Sequence, residues 1–509
     1  MTSFNPKVPV ALMALAILVR WLVALFPYSG YKSPPMYGDY EAQRHWMEVT
    51  TNLPPHQWYE NSTDNDLQYW GLDYPPLTAY HMFALGYASK KLNSSWTKLE
   101  ESRGIETYEH KLFMRSTVII SELLTYLPAV IYYFYKTQPI KYNSQPSTVH
   151  RHNQHIYTAL FLFFPAQILI DHGHFQYNCV FMGLTLCAIL FIDKGHQITS
   201  SIMFTLALCY KQMSLYYSLP FFWYLLSSNL RVRPLWKGVR NILIIGLTVS
   251  LTFVVIFAPY ISSISKLTQV SNRIFPFERG LYEDKVANVW FSLSLFYKFR
   301  KFYSIEDLVK ASVAATLLSS LPAGIHLLVK PDMRTFKYSL ITTSLVFFLL
   351  SFQVHEKTIL VPALPILLLY REHPLAVNWF AIISTLSLQP LLERDGQMIP
   401  YGIITIIYIL FSTEILIREL TLNPQKIFTL HNFTAVAYLT SLFVGCALNI
   451  AALVVEPPPQ YPHIHATLNA VYCCAHFAGF LGFFYFKQFA GDINNDRNKD
   501  QVLLLKKTK

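Results

Sequence analysis

Long apolar segments recur along the whole chain, and they restrict its fold more than any other feature of the sequence. A helix needs about 20 apolar residues to cross a bilayer. Segments of this kind lie near residues 8–26, 112–135, 156–170, 177–193, 241–261, 306–328, 433–455 and 465–487. Further apolar blocks are predicted to form hairpins, and each is interrupted by polar residues. They lie at 197–226, with a break at Tyr210–Gln212, at 338–370, with a break at His355–Lys357, and as the pair 375–390 and 399–417. The sequence therefore predicts an all-α polytopic membrane protein with about 14 transmembrane helices, in which residues 1–509 form one membrane-embedded domain.

The composition agrees with this fold class. Hydrophobic residues make up 53% of the chain and charged residues only 14%, whereas soluble proteins carry roughly 25% charged residues. The net charge of +11 is spread over many short loops rather than gathered in one basic domain, so nucleic acid is not a predicted partner. The six cysteines lie in apolar segments, without the spacing of a disulfide framework or a zinc site.

The distribution of lysine and arginine among the loops predicts the orientation of the chain. The loops 136–151, 231–240 and 330–337 are enriched in these residues, and in the predicted order of crossings they share one side with both termini. This side is expected to be cytosolic. The long first loop, about residues 27–111, is then luminal.

Short motifs add to the predicted topology. The first luminal loop contains two candidate N-glycosylation sites, at Asn61 and Asn93. The cytosolic tail, about residues 488–509, carries Lys506 and Lys507 near its end. These lysines resemble a dilysine signal for retrieval to the endoplasmic reticulum, although a basic tail without a sorting role is the alternative. We therefore expect a multi-pass protein of the endoplasmic reticulum membrane with a luminal active site.

The densest polar segment is Gly38–Trp46, in the first luminal loop. Asp39, Glu41 and Arg44 are candidates for binding a polar acceptor such as a sugar. The same residues also fit a structural role, because Asp39 could cap a helix and Arg44 could pair with Glu41. Both interpretations stay open at the level of the sequence.

Asp73 lies in a second polar segment, in which Pro75 keeps Tyr74 out of the helical conformation and leaves Asp73 on an irregular loop. A carboxylate held there suits general base chemistry. The neighbouring aromatic residues Trp70 and Tyr74 are candidates for stacking on a sugar. The alternative is that Asp73 caps the helix that the two prolines begin.

The third polar segment, Asp171–Asn178, lies at the end of a predicted crossing. Its His-x-His turn contains residue types that bind metal ions, but no second cluster of such residues follows at ligand spacing. The evidence for a metal site is therefore weak. Hydrogen bonding to sugar hydroxyls or shaping of a cavity is the preferred interpretation for Asp171, His172, His174 and Gln176.

Cationic side chains are predicted on the same luminal face: Lys211, Arg273, Arg279, Lys285, His355 and Lys357. A departing phosphate gains negative charge in the transition state, so cations placed against it accelerate its departure. Arg273 and Lys285 also fit the alternative role of anchors at the membrane–water interface, without a part in phosphate binding. The segment His355–Lys357 is a stronger candidate, because it interrupts an apolar hairpin in which polar residues are costly.

Several of these segments closely resemble one family, the dolichyl-phosphate-glucose glucosyltransferases of N-glycan precursor assembly. They are Gly38–Trp46, Tyr69–His81 (YWGLDYPPLTAYH), Asp171–Asn178 (DHGHFQYN) and Val354–Lys357 (VHEK). The resemblance covers essentially the whole chain. It implies a membrane glycosyltransferase of the GT-C class, without a metal or other cofactor. The implied partners are a dolichyl-phosphate-glucose donor, a lipid-linked oligosaccharide acceptor and membrane lipid.

The resemblance also implies the reaction. The residues around the DYPP core are similar to those of the enzyme type that adds the first glucose, in α-1,3 linkage, to the terminal mannose of lipid-linked Man(9)GlcNAc(2). The donor is β-linked and the product is α-linked, so the transfer inverts. Asp73 matches the family's aspartate and would be the base, while His355 and Lys357 would receive the donor phosphate. Lys211 and Arg279 are further candidates for binding that phosphate.

Two alternatives remain at this stage. The related enzyme type that adds the second glucose shares the DYPP core. A multi-span transporter of lipids or sugars is the rival from another class, but transporters usually carry ionisable residues near the bilayer midplane. The predicted spans offer few such residues beyond Arg20, Glu122, Glu414 and His476. The concentration of polar residues on one face favours chemistry at the membrane surface over transport.

Overall fold

A computed structural model describes residues 7–136, 147–275, 285–422 and 432–507. These residues are mostly helical and contain no β-strand, which confirms the predicted fold class. In chain order the helices are α1 Lys7–Ala24, α2 Asp39–Asn52, α3 Pro76–Leu92, α4 Tyr108–Leu124, α5 Tyr126–Lys136, α6 Ser147–Leu162, α7 Pro165–Ile168, α8 Asn178–Asp193, α9 Gln197–Tyr210, α10 Ser218–Leu230, α11 Leu235–Ile256, α12 Ile264–Ile274, α13 Val289–Ser294, α14 Ile305–Val329, α15 Met333–Leu350, α16 Leu360–Leu367, α17 Pro374–Leu386, α18 Gln389–Arg394, α19 Met398–Leu422, α20 Asn432–Val454 and α21 Ile464–Lys507.

Nine helical segments in the described ranges are long and apolar enough to cross a membrane. They are Lys7–Ala24, Tyr108–Tyr135, Gln154–Phe175, Leu235–Ile256, Ile305–Val329, Pro374–Arg394, Met398–Arg418, Thr434–Val454 and Ile464–Ala490. Each overlaps an apolar segment predicted from the sequence. The shorter apolar helices α8 and α9 match two more. The total of about 14 crossings stays a prediction.

Both predicted interruptions of apolar hairpins are present. Helix α9 ends at Tyr210, and a 3₁₀ turn at Gln212–Tyr217 precedes α10. Helix α15 ends at Leu350, and a 3₁₀ turn at Glu356–Ile359 precedes α16. The polar residues Lys211 and His355 therefore lie at breaks between helices, as predicted.

Two further breaks were not predicted. The span Tyr108–Tyr135 is divided at Thr125 into α4 and α5, and the span Gln154–Phe175 is divided at Phe163 and Phe164 into α6 and α7. The second span ends at the polar segment, as predicted, and its last turn is a π-helical turn at Leu169–Phe175. π-Helical turns are rare, and they occur frequently at functional sites. This turn contains the predicted polar residues from Asp171 to His174, and it is fully buried.

The described residues divide into two compact units. Unit 1 lies within Met1–Ser214, Leu243–Phe277 and Tyr370–Leu439, and unit 2 lies within Leu215–Ile242, Glu278–Leu369 and Thr440–Lys509. The prediction of one membrane-embedded domain is not tested by this division.

Unit 1 brings the polar segments of the sequence together. The first loop between α1 and α4 folds into α2 and α3, which pack against each other, and α3 also packs against α9. The π-helical turn packs against α1, α2 and α4. Local sequence fixes the helix starts: Pro76 occupies the first turn of α3, and the Thr107 hydroxyl accepts a hydrogen bond from the His110 amide at the start of α4.

Unit 2 is built around α15, which packs against α10, α14, α16 and α21. Side-chain caps fix the starts of two of these helices. The Ser304 hydroxyl accepts a hydrogen bond from the Asp307 amide in α14, and the Asp332 carboxylate accepts one from the Thr335 amide in α15.

Candidate active site

The loop that carries Asp73 is held by side chains from two other parts of unit 1. Arg273 of α12 donates hydrogen bonds to the carbonyl oxygens of Gly71 (2.7 Å) and Leu72 (3.0 Å), just before Asp73. The Gln212 side chain donates to the carbonyl oxygen of Asp73 itself, at 3.3 Å. The Asp73 side chain is half-buried. The loop backbone is therefore fixed around a carboxylate that solvent reaches in part.

Two aromatic residues flank this carboxylate. Trp70 has a φ of 51°, in the left-handed region that bulky residues rarely adopt. Its carbonyl oxygen accepts a 2.8 Å hydrogen bond from the Trp46 indole, and its own indole donates to the Met36 carbonyl. The Tyr74 ring lies edge-on to Trp46, with centroids 5.0 Å apart. Burial raises the pKa of the Tyr74 hydroxyl well above its usual value, and the nearby Asp73 adds to this effect. Stacking of either ring on a sugar stays a prediction.

A second carboxylate, Asp39, belongs to the same region. It begins α2, and its side chain is 22% exposed. Asp39 Oδ2 accepts a hydrogen bond from the Gln176 amide and lies 2.9 Å from His174 Nε2. The other ring nitrogen of His174 lies 2.5 Å from Asp395 Oδ2. An imidazole between two ionised carboxylates can satisfy both only when both ring nitrogens carry a proton.

Asp395 is a site residue that the sequence did not reveal. It is buried, at 7% exposure, in the connection between α18 and α19. The sequence shows only a short polar loop at 391–396, and nothing in it points toward His174, which lies 221 residues earlier. The one available signal was an aspartate followed by Gly396 between two apolar segments, which is typical of an ordinary turn.

Lys211 connects the Asp73 loop with the π-helical turn. Its ammonium group donates hydrogen bonds to Gln176 Oε1 (2.9 Å) and Asn178 Oδ1 (2.6 Å), and it lies 4.8 Å from the centre of the Tyr74 ring. The Asn178 side chain in turn donates to Asp171 at 2.8 Å. Lys211 is 1% exposed. It supplies positive charge beneath the loop, and its predicted contact with the donor phosphate stays a prediction.

His172 points away from Asp39, into the helix bundle. Its Nε2 atom lies 2.6 Å from Glu122, which also forms a 2.6 Å ion pair with Arg20. Gln167 donates to both Glu122 and Asp171, so this buried cluster continues into the network around Lys211. Its partners make His172 a support of the turn, and its predicted contact with a sugar is untested.

The structure places Glu41 and Arg44 in the interior of the first loop. The Arg44 guanidinium forms a two-pronged ion pair with Glu41, at 2.7 and 2.8 Å, and a third contact with Glu48 at 2.6 Å. Glu41 also accepts a 2.8 Å hydrogen bond from the Tyr69 hydroxyl, which ties α2 to the segment before Asp73. These contacts fit the structural interpretation, in which both residues hold the loop together. Binding of the acceptor by either residue is untested.

The charge state of this cluster is fixed by its contacts. Burial alone would raise the pKa of Glu48, but the hydrogen bond from His45 and the charge of Arg44 lower it to about 2. Burial lowers the pKa of Arg44, yet the two glutamates more than compensate and raise it above its usual value. Glu48 and Arg44 therefore stay ionised at neutral pH.

The remaining candidates for phosphate binding belong to other parts of the chain. His355 precedes the 3₁₀ turn of unit 2, where it is half-buried together with Lys357. Arg279 falls outside the described residues. Asn61 and Asn93 are exposed in the first loop, as glycosylation requires. In the described ranges, no group of three or more histidine, cysteine, aspartate or glutamate side chains is arranged to hold a metal ion.

Comparison with known proteins gives a consistent result. A family model described as the ALG6, ALG8 glycosyltransferase family matches residues 16–483. A protein of Gallus gallus named dolichyl pyrophosphate Man9GlcNAc2 alpha-1,3-glucosyltransferase is 41% identical over 506 residues, which cover 96% of this chain and 97% of that protein. A protein of Dictyostelium discoideum described as a probable enzyme of the same name is 43% identical over 509 residues, which cover 95% of each chain. The probable enzyme of this name from Arabidopsis thaliana is 37% identical over 493 residues, which cover 96% of this chain and 91% of that protein.

Proposed function

This chain belongs to the ALG6, ALG8 glycosyltransferase family, and from this premise we propose that it adds an α-1,3-linked glucose to dolichyl pyrophosphate Man9GlcNAc2. The names of its relatives specify this acceptor and this linkage. The donor in the proposal is dolichyl β-D-glucosyl phosphate, and the acceptor group is the 3-hydroxyl of a terminal mannose.

The observation that carries the mechanism is the half-buried Asp73 carboxylate on a loop that Arg273 and Gln212 hold in place. Asp73 removes the proton from the mannose 3-hydroxyl, and the oxygen attacks C1 of glucose. The bond between C1 and the phosphate oxygen breaks, and dolichyl phosphate leaves with the electron pair. Attack from the face opposite the leaving group converts the β-linkage into an α-linkage. A positioned base of this kind contributes about 10²- to 10⁴-fold to the rate.

The departing phosphate requires positive charge, since its negative charge grows as the C1 bond breaks. His355 and Lys357 are proposed to supply it, with Lys211 and Arg279 as further candidates. Their position at a polar break between apolar helices supports this role for His355 and Lys357. No metal ion is required in this scheme, because the cationic side chains stabilise the leaving group themselves.

The proposed cellular setting follows from the same reaction. Assembly of this acceptor places the enzyme in the endoplasmic reticulum membrane, with the Asp73 loop on the luminal side. Lys506 and Lys507 are proposed to act as a retrieval signal on a cytosolic tail. The multi-pass architecture itself is supported by the nine long apolar helices of the described chain.

The test is a transfer assay with purified full-length protein, a short-chain dolichyl-phosphate-glucose analogue and lipid-linked Man9GlcNAc2, with EDTA present. The parent is expected to add one α-1,3-linked glucose. Asp73→Asn should retain the thermal unfolding midpoint and lose at least about a hundredfold in kcat, because the amide cannot accept the proton. Asp64→Asn, an exposed aspartate of the same loop, is the matched control and should keep the parental rate.

Each alternative predicts a different result. An Asp73→Asn variant with parental turnover would remove Asp73 from the mechanism and direct attention to Asp39, the other partly exposed carboxylate of the site. A parent that accepts only the monoglucosylated oligosaccharide would indicate the enzyme type that adds the second glucose. Loss of activity in EDTA that Mg²⁺ or Mn²⁺ restores would contradict metal independence.

A further inference from the structure

Three arginines in the described part of the chain are fully buried, and only one of them lacks an acidic partner. Arg20 lies 2.6 Å from Glu122, and Arg44 lies 2.7 Å from Glu41. Arg115, at 1% exposure, forms no ion pair with any carboxylate of the described residues. A buried charge is costly unless it is paired. Arg115 therefore differs from the other two in lacking a carboxylate of the described chain within ion-pairing distance.

The contacts of Arg115 leave part of its guanidinium group unused. Nη2 donates hydrogen bonds to the carbonyl oxygens of Gly173 (2.9 Å) and Pro27 (3.0 Å). The rings of Tyr28 and Phe175 lie 5.7 and 5.6 Å from the guanidinium carbon. Nε and Nη1 have no hydrogen-bond partner within the described structure. These two nitrogens lie on different edges of the planar guanidinium group, because Nε shares its edge with Nη2, so each of them can donate a separate hydrogen bond to an anion.

A crevice between the last turn of α1 and the first turns of α4 contains this arginine. Its apolar lining is Trp21, Ala24, Leu25 and Leu112, and its cations are Arg115 and Lys111. Lys111 lies one helical turn before Arg115 in α4. Its ammonium group donates a hydrogen bond to the Leu25 carbonyl oxygen at 2.7 Å. Neither cation faces a carboxylate within hydrogen-bonding distance in the described ranges. The crevice thus combines two cations with an apolar wall.

The apolar wall continues along the outer surface of α1. Leu18 and Leu22 are each 51% exposed on this helix, which is long and apolar enough to cross a membrane, and Leu25, just after its end, is 48% exposed. Exposed leucines on a membrane span face lipid chains. A ligand that fits both parts has an anionic head for the crevice and an aliphatic chain for the helix surface.

We infer that the crevice formed by Lys111 and Arg115 binds the phosphate or pyrophosphate head of a polyprenyl-type lipid substrate. This assignment rests on the proposed function, in which both donor and acceptor carry such a head. A phosphate carries several oxygens, so its head group can accept hydrogen bonds from the Arg115 guanidinium group and from the Lys111 ammonium group together. His355 and Lys357 are not among the residues that line this crevice, and they belong to unit 2.

Binding is tested first without catalysis, with farnesyl pyrophosphate as the probe. Full-length protein in detergent is expected to show a higher thermal unfolding midpoint with farnesyl pyrophosphate than with farnesol or inorganic pyrophosphate. Lys111→Gln and Arg115→Lys should each weaken the apparent affinity about tenfold, the effect of losing one charge-assisted hydrogen bond. Lys91→Gln is the matched control, because Lys91 is exposed and likewise lies beside a tyrosine ring, 5.4 Å from that of Tyr87.

Kinetics then identify the source of the phosphate. In the Lys111→Gln variant, a rise of about tenfold in KM for the lipid-linked acceptor, with the donor KM unchanged, assigns the crevice to the acceptor pyrophosphate. The reverse pattern in Lys111→Gln assigns it to the donor phosphate. If the head is the acceptor pyrophosphate, kcat should change less than KM, because that group is not a reacting group. If the head is the donor phosphate, kcat should fall as well, because the negative charge of the leaving phosphate grows in the transition state.

Three results would overturn the inference. They are equal stabilisation by inorganic pyrophosphate and farnesyl pyrophosphate, parental affinity in both crevice variants, and parental KM values for both substrates in Lys111→Gln. The binding arm does not depend on turnover. A parent that binds farnesyl pyrophosphate through Lys111 but transfers no glucose would therefore contradict the proposed function alone.

Discussion

His174 illustrates how single residues of the site depend on distant parts of the chain. Its two ring nitrogens contact Asp39 and Asp395, which lie 135 residues before it and 221 residues after it. The sequence identified Asp39 and His174 because both belong to dense polar segments. It could not identify Asp395 or Arg115, because each is a single charged residue whose partners are set by tertiary packing.

Asp395 is expected to act as a positioning residue for Asp39 through His174. Replacing Asp395 with asparagine removes the charge that keeps a proton on His174 Nδ1, so the hydrogen bond from Nε2 to Asp39 becomes weaker. If Asp39 contacts the acceptor sugar, the Asp395→Asn variant should raise the acceptor KM about tenfold and change kcat less. The measurement is initial transfer rate against acceptor concentration, together with the thermal unfolding midpoint.

The matched control for this prediction is Glu393→Gln. Glu393 is an exposed acidic residue of α18 whose carboxylate accepts a 2.8 Å hydrogen bond from Gln389, and its substitution should leave KM unchanged. Asp395→Glu should restore part of the acceptor affinity, since it restores the charge. A lower unfolding midpoint in Asp395→Asn with a parental acceptor KM would show that Asp395 only stabilises the fold.

At the level of helices, the sequence predicted the breaks that polar residues cause and missed those that packing causes. Lys211 and His355 interrupt apolar runs, and such residues are too costly inside a span to be overlooked. The break between α4 and α5 falls at Thr125, a residue that spans tolerate. Its hydroxyl donates a hydrogen bond to the Ser121 carbonyl oxygen at 2.7 Å, in the last turn of α4. A threonine that is paired in this way is compatible with a continuous helix, so the sequence did not indicate the break.

Gly183 of α8 lies in close contact with the backbone at the Thr125 break. A Cβ atom at Gly183 would lie 2.7 Å from the carbonyl carbon of Thr125 and 2.9 Å from its oxygen. Backbone atoms cannot move aside as a flexible side chain can, so Gly183→Ala should destabilise the protein by about 1–3 kcal/mol. We expect a lower midpoint of thermal unfolding in detergent, with KM values unchanged in the protein that remains folded.

Gly246→Ala is the control for this substitution. Gly246 lies inside α11, and a Cβ atom there would have no other atom within 4 Å. Alanine favours the helix over glycine by about 1 kcal/mol, so this variant should unfold at the parental temperature or above it. A Gly183→Ala variant as stable as Gly246→Ala would show that α8 does not depend on close contact with the Thr125 backbone.

For the whole molecule, the apolar segments predicted the helix positions well, whereas the number of crossings stays a prediction. All nine long spans of the described chain overlap predicted segments. Helices such as α9 and α16, with 14 and 8 residues, are too short for length alone to decide whether they cross. The two compact units were also beyond prediction, because each combines segments that are far apart in the sequence.

Glycosylation provides a direct test of the orientation on which the proposed function depends. Asn61 and Asn93 are exposed in the first loop, and their acceptor sequences can be modified only in the lumen. We expect Asn61→Gln and Asn93→Gln each to remove one endoglycosidase-sensitive step in electrophoretic mobility, and the double variant to remove both. A sequon added after Lys509 should stay unmodified, because the predicted tail is cytosolic and the number of crossings is then even.

Modification of the added sequon, with none at Asn61 or Asn93, would place the Asp73 loop in the cytosol. Because the positive-inside distribution of lysine and arginine determined the predicted orientation, this outcome would overturn that prediction and the luminal reaction together.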